Sequence, residues 1–147
     1  MAQEFSIFTD TATVAIFDLA AIRHRISDTP DWWSIVEDEL QETNAGNVAF
    51  LGVGQDGSYK IAIVDDIAAG FGVLHLGFPS GQVFVGAGED ATGGDLEPDG
   101  SDSIQGVVIN FEPGSYLIKY KKTGSVVELA FQVSTERCNE LTDSIRL

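Results

Sequence analysis

The chain has a single cysteine, Cys138, and only two histidines, His24 and His75. One thiol excludes an internal disulfide framework and fits a reducing, cytoplasmic compartment. One Cys and two His are too few for the four-ligand zinc sites that these residues ordinarily build, so no cofactor or metal is expected from them. Long apolar runs are missing as well; none approaches the roughly 18 residues of a membrane-spanning helix. The opening stretch "MAQEFSIFTDTATVAIF" has no basic start and carries Glu4 and Asp10, so it does not read as a secretory signal. Positive charge is scarce: 8 Lys and Arg face 23 Asp and Glu, a formal net charge of −15. Such a surface repels nucleic acid and anionic membranes, and its field speeds encounters with cations and basic proteins.

What is present is enough for a core. Hydrophobic residues make up 44% of the 147, which excludes a disordered acidic tail and suits one domain spanning 1–147. Short apolar runs with turn signals between them predict an all-β fold. The strands fall at Phe5–Thr9, Val14–Leu19, Val48–Val53, Ser58–Val64, Gly72–Phe78, Gln82–Ala87, Val107–Phe111, Tyr116–Lys121 and Val126–Val133. In the last of these Val127, Leu129, Phe131 and Val133 share one face, with Glu128 and Gln132 opposite. "QDG", "FPSGQV" and "KKTGSV" read as hairpin turns, and "EPGSY" turns the chain into another strand. An antiparallel β-sandwich of about nine short strands is the economical arrangement. No internal repeat or dividing linker is apparent, and the polar tail after Ser134 suggests a last helical turn.

One insertion breaks the rhythm. "SDTPDWWSIVEDELQETNAG" predicts a short helix near residues 30–43, with Thr29 as N-cap, Pro30 at the first helical position and Gly46 just past the end. Trp33, Val36 and Leu40 form its apolar stripe, leaving Glu37, Asp38, Glu39 and Glu42 largely to solvent. Trp32 and Trp33 are adjacent, so on a helix they point about 100° apart; one anchors the core and the other is a candidate interface anchor.

Gly52, Gly54 and Gly57 spell G-x-G-x-x-G, yet the next residues, "SYKIAIV", have a strand pattern where a dinucleotide site needs a helix. Those glycines are turn residues. Gly88 and Gly93 have P-loop spacing, but Gly94 and Asp95 replace the required Lys and Ser/Thr, and Glu89 and Asp90 inside the loop would repel phosphate. Nucleotide binding is excluded. Asp95, Glu97 and Asp99 stand at positions 1, 3 and 5 of a calcium-type loop with Gly100 at 6, and Asp102 could add an oxygen. Position 12 is Gly106 rather than Glu, and no flanking helices are readable, so a solvated acidic loop is the plainer account.

Catalysis has no recognisable signature. No Ser or Cys sits in a nucleophile motif, and Asp65 and Asp66, adjacent at a strand end, more naturally begin a turn than share a proton. Arg23 and Arg25, flanking His24, pair with neighbouring acids. Lys119, Lys121 and Lys122 read as gatekeepers on a solvated edge. The chain is therefore expected not to be an enzyme.

The order of elements resembles one family. A short aromatic strand pair ("FSIF", "VAIFDL") precedes a tryptophan insertion ("PDWWS"), and a P-G-x-Y turn ("EPGSYLIKY") leads into the closing strands. This is similar to the small acidic competence-protein-J type inhibitors of a DNA-entry nuclease and, more generally, to bacterial β-sandwich immunity proteins. The Gly-rich stretch 86–106 has no counterpart there, and no functional residue transfers. The resemblance implies a cytoplasmic inhibitor that binds a toxic nuclease. Physical reasoning points the same way, since carboxylates at phosphate-like spacing can fill a cationic groove. The expected partner-binding residues are Glu89, Asp90, Asp95, Glu97, Asp99 and Asp102, with Trp32 or Trp33 beside them. The acidic helix face is the rival surface, and a calcium- or small-ligand-binding β-domain using loop 89–102 is the alternative function.

Overall fold

Strands form in all nine places where the alternation puts them. The computed structural model describes residues 3–9, 12–18, 20–21, 35–87, 106–136, 138–142 and 145–146. In order they are β1 (Gln3–Thr9), β2 (Thr13–Asp18), β3 (Val48–Gly52), β4 (Gly57–Val64), β5 (Gly72–Phe78), β6 (Gln82–Ala87), β7 (Gly106–Asn110), β8 (Gly114–Thr123) and β9 (Val126–Ser134). Among the described residues of the tail, where a helical turn is expected, the regular element is a two-residue strand, β10 (Ile145–Arg146). It gains its place by pairing with β3, a long-range contact that local sequence cannot report.

The strands make two open five-stranded sheets. Sheet A runs β1-β4-β9-β8-β5 and sheet B runs β10-β3-β2-β6-β7. Between them lies the core, where Ile16, Leu51, Ile61, Leu76, Ile118 and Leu129 are fully buried. A second apolar cluster, with Phe17 and Phe84 rings 5.3 Å apart, occupies the outer side of sheet B. The sandwich is as expected, but both sheets are mixed rather than antiparallel. Strand β9 returns from the hairpin at Gly124 and slots in parallel beside β4, with Ile61 opposite Val127; β10 is parallel to β3.

Only one of the three expected hairpins is a hairpin. "KKTGSV" joins β8 to β9 through a two-residue loop, Thr123 pairing with Val126. The "QDG" and "FPSGQV" turns instead carry the chain between sheets, from β3 to β4 and from β5 to β6. Turn chemistry fixes a reversal, whereas the choice of neighbour is made by packing. Lys119, Lys121 and Lys122 likewise belong to β8, which is flanked on both sides and is not an edge strand.

The helix, α1 (Val36–Asn44), begins later than the Thr29–Pro30 signal suggests and has Ile35 as its N-cap residue. Its end is where Gly46 placed it. Gly46 N–H donates to the Thr43 carbonyl and Asn47 N–H to the Glu42 carbonyl, the paired bonds of a Schellman ending, with Gly46 at φ 80°. The helix packs on β3. Its orientation corrects the expected solvent face: Glu39 and Glu42 are 8% and 3% exposed, while Glu37 is exposed. A carboxylate tolerates burial when it is hydrogen-bonded, and the Asn47 side-chain amide donates to Glu42 Oε1 at 2.9 Å.

Candidate functional site

The residues expected to bind a partner, Glu89, Asp90, Asp95, Glu97, Asp99, Asp102, Trp32 and Trp33, lie outside the described residues, as do Arg23, His24 and Arg25. Topology nevertheless fixes where their segments are rooted. The tryptophan insertion leaves the end of β2 and returns through α1 to β3; the acidic stretch joins β6 to β7. All four strands belong to sheet B. Because Asp18 pairs with Val83 while Val14 pairs with Ala87, the two insertions start from opposite ends of that sheet.

Asp18 itself closes the first of those ends. Its buried carboxylate accepts from Ser80 N–H, Ser80 Oγ–H, Gly81 N–H and Ala20 N–H at 2.7–2.9 Å. Four donors compensate its desolvation and tie the β5–β6 turn to β2.

On the described surface a groove of about 840 Å³ runs between the edge of β5 and the segment after β9. Asn139 builds it. Its Oδ1 accepts from His75 N–H, and its Nδ2 donates to the His75 and Thr43 carbonyls, each at 2.8 Å. The side-chain amide thus does for the β5 edge what a neighbouring strand would do. Asn44 completes the clamp, exchanging two hydrogen bonds with the backbone of Leu141. Within the groove, His75 Nε2 stands 3.7 Å from a Glu136 carboxylate oxygen, and its Nδ1 is buried with no hydrogen-bond partner. The Cys138 thiol is exposed nearby, but no hydrogen bond joins it to the imidazole, so the two lack the contact of an activated nucleophile and its base. Sequence reading passed over this constellation. The residues are 64 positions apart, and nothing local marks Asn139 as the partner of His75.

On sheet A, Lys119 and Lys60 are held in ion pairs. Lys119 Nζ donates to Asp66 Oδ1 at 2.7 Å and lies 4.5 Å from the Phe71 ring centroid, a cation–π distance. The Lys119 hydrogen bond, aided by the Ile67 N–H, holds the Asp66 carboxyl below the usual carboxylate value. Lys60 pairs with Glu4 at 2.9 Å. Among the described residues no group of three or more His, Cys, Asp or Glu is arranged to hold a metal ion, and no helix is long and apolar enough to cross a membrane.

A family model described as a family of unknown function (DUF6386) matches residues 1–147. The chain belongs to DUF6386. No curated protein matches this DUF6386 chain. Among solved structures it is similar to the one named "Crocagin biosynthetic gene J", with 13% sequence identity and a TM-score of 0.54 over 88% of this chain and 96% of that one. At that identity the likeness is one of fold.

Proposed function

We propose that this DUF6386 chain is a non-catalytic, acidic protein-binding domain whose partner is a basic protein, such as a bacterial nuclease or toxin. The observation that carries the reading is the uncompensated negative charge of the insertion between β6 and β7. Both acidic insertions are rooted in sheet B. The one between β6 and β7 brings Glu89, Asp90, Asp95, Glu97, Asp99 and Asp102 without a single Lys or Arg. The one between β2 and β3 adds Asp28, Asp31, Glu37 and Asp38, offset in part by Arg23 and Arg25. A field of this sign attracts a cationic partner and raises the association rate by about 10–10³-fold. The tryptophans of the second insertion would supply the desolvated anchor that charge alone does not.

Pull-down from a source lysate at about 50 and about 500 mM salt, where the Debye length falls from roughly 14 to 4 Å, tests this against a chain with the six acids of 89–102 changed to Asn and Gln. A basic protein retained at low salt by the native chain, and lost at high salt or on neutralisation, supports the reading. Equal retention by the neutralised chain sinks the site assignment. The rival calcium reading rests on the 1, 3, 5 spacing of Asp95, Glu97 and Asp99 with Gly100 at 6. It requires a calcium-dependent rise in Tm that the neutralised chain does not show.

A further inference from the structure

The sandwich closes one of its sides and leaves the other open. On the closed side Asn139 bonds both backbone groups of His75, and Gly77 N–H donates to the Gly46 carbonyl, so the edge of β5 is covered. On the other side β1 and β7 adjoin, and each is the last strand of its sheet. Backbone direction in β1 follows from the register. Lys60 N–H donates to the Ser125 carbonyl at the start of β9, so even-numbered residues of β4 face β9 and odd-numbered ones face β1. Phe5 and Ile7, opposite Ile61 and Tyr59, therefore use their backbone groups on β4, while Glu4 and Ser6 aim theirs outward. Among the described residues no strand or side chain bonds to those outward groups.

An open edge is a template for a further strand, and natural sheets blunt it with Lys, Pro or a bulge. β1 has none of the three: "QEFSIFT" contains neither Lys nor Pro, and its pairing with β4 runs unbroken from Gln3 to Thr9. Its one charge, Glu4, is neutralised by Lys60 of the same chain at 2.9 Å. That ion pair narrows the occupant. An edge without net charge gives neither a basic nor an acidic partner anything to recognise, and on a chain of −15 it is where two copies meet with least repulsion. β7 is less suited, because the acid-rich insertion joins it directly at Gly106. Identical strands that pair antiparallel close about a two-fold axis, so association stops at two copies.

We propose that β1 is a dimerisation edge, on which β1 of a second copy of this chain pairs antiparallel about a two-fold axis at Phe5. Glu4 of each copy then stands opposite Ser6 of the other, each pair exchanging both backbone hydrogen bonds, and sheet A continues through both copies. This does not depend on the protein-binding reading, and the two respond oppositely to salt. Screening weakens attraction to a basic partner and relieves repulsion between like-charged copies.

Sedimentation equilibrium of the full-length chain, at about 50 and about 500 mM salt, tests this. Mass should rise with concentration from 15.7 kDa to twice that value and no further, at lower concentration in the higher salt. The amides of Glu4 and Ser6 should exchange at least about tenfold more slowly in the dimer than in the monomer. Ser6→Pro removes an outward N–H, a change that an edge strand accommodates, and should hold the mass at 15.7 kDa. Should that variant not fold, exchange at Glu4 and Ser6 in the native chain decides alone. A mass fixed at the monomer value in both salts, a mass that climbs past two copies, a dimer that Ser6→Pro leaves intact, or new protection on β7 instead of β1 would each overturn the proposal.

Discussion

Tyr59 and Tyr116 make the same hydrogen bond at two corners of the sandwich. Each hydroxyl donates to the backbone carbonyl four residues upstream, Gln55 at 2.6 Å and Glu112 at 2.7 Å. Each tyrosine comes directly after a Gly-Ser pair, Gly57-Ser58 or Gly114-Ser115, and each stands near the start of a sheet A strand that the chain enters from sheet B. Both rings are buried. The ring packs under the corner while its hydroxyl satisfies a carbonyl that the crossing would strand, the logic of the tyrosine corner in immunoglobulin-like sandwiches.

Tyr59→Phe and Tyr116→Phe keep the rings and remove the bonds, so each should cost about 1 kcal/mol in urea or guanidinium melts. The preceding glycines contribute separately. Gly114 has φ 154° with open space where a Cβ would point, so Gly114→Ala should lose about 1 kcal/mol or more through the backbone alone.

Alkaline pH should expose the same corner. Burial, reinforced by Glu112, raises the Tyr116 hydroxyl above its ordinary value, and burial raises Tyr120. A group whose folded value is raised contributes fully below the unfolded value and loses that contribution as pH rises through the folded one. Stability should therefore fall as pH climbs above about 10, and the fall should be shallower in Tyr116→Phe. Unfolding melts from pH 8 upward read this directly.

Asp18→Asn should be among the costliest single changes. The amide places an NH₂ against donors that now meet carboxylate oxygens, and hydrogen bonds to a charged group contribute about 1.5–3 kcal/mol each. A loss of at least about 2 kcal/mol is expected, measured as a lower denaturation midpoint at unchanged m-value. Ser80→Ala, which removes one donor, should cost less.

Asn139→Ala should act locally. Losing the clamp frees the backbone of His75 and the groove wall while leaving the inter-sheet core intact. Hydrogen exchange at the His75 amide should accelerate at least about tenfold, since opening no longer breaks two of its bonds, whereas amides in β8 and β9 should keep their protection.

Periodicity alone determined where the strands lie, because period-two alternation reflects burial on one sheet face and needs no knowledge of the partner. Gly46 and Gly124 marked a helix end and a hairpin for a similar reason, since their φ angles of 80° and 60° are local demands. The twin Gly-Ser-Tyr corners were also written in the chain, spelled too briefly to stand out as a repeat. Tertiary structure alone decided which strands pair. The parallel seat of β9 beside β4, the recruitment of β10 to β3 and the passage of two turns between sheets are set by long-range packing, and the turn residues at those points serve either outcome. It also decided that Glu39 and Glu42 face inward, where Asn47 is at hand for Glu42. Likewise, His75 with Asn139 and Phe111 with Phe131 became neighbours only when the sheets closed, because strands distant in sequence must be stacked before their side chains share a surface.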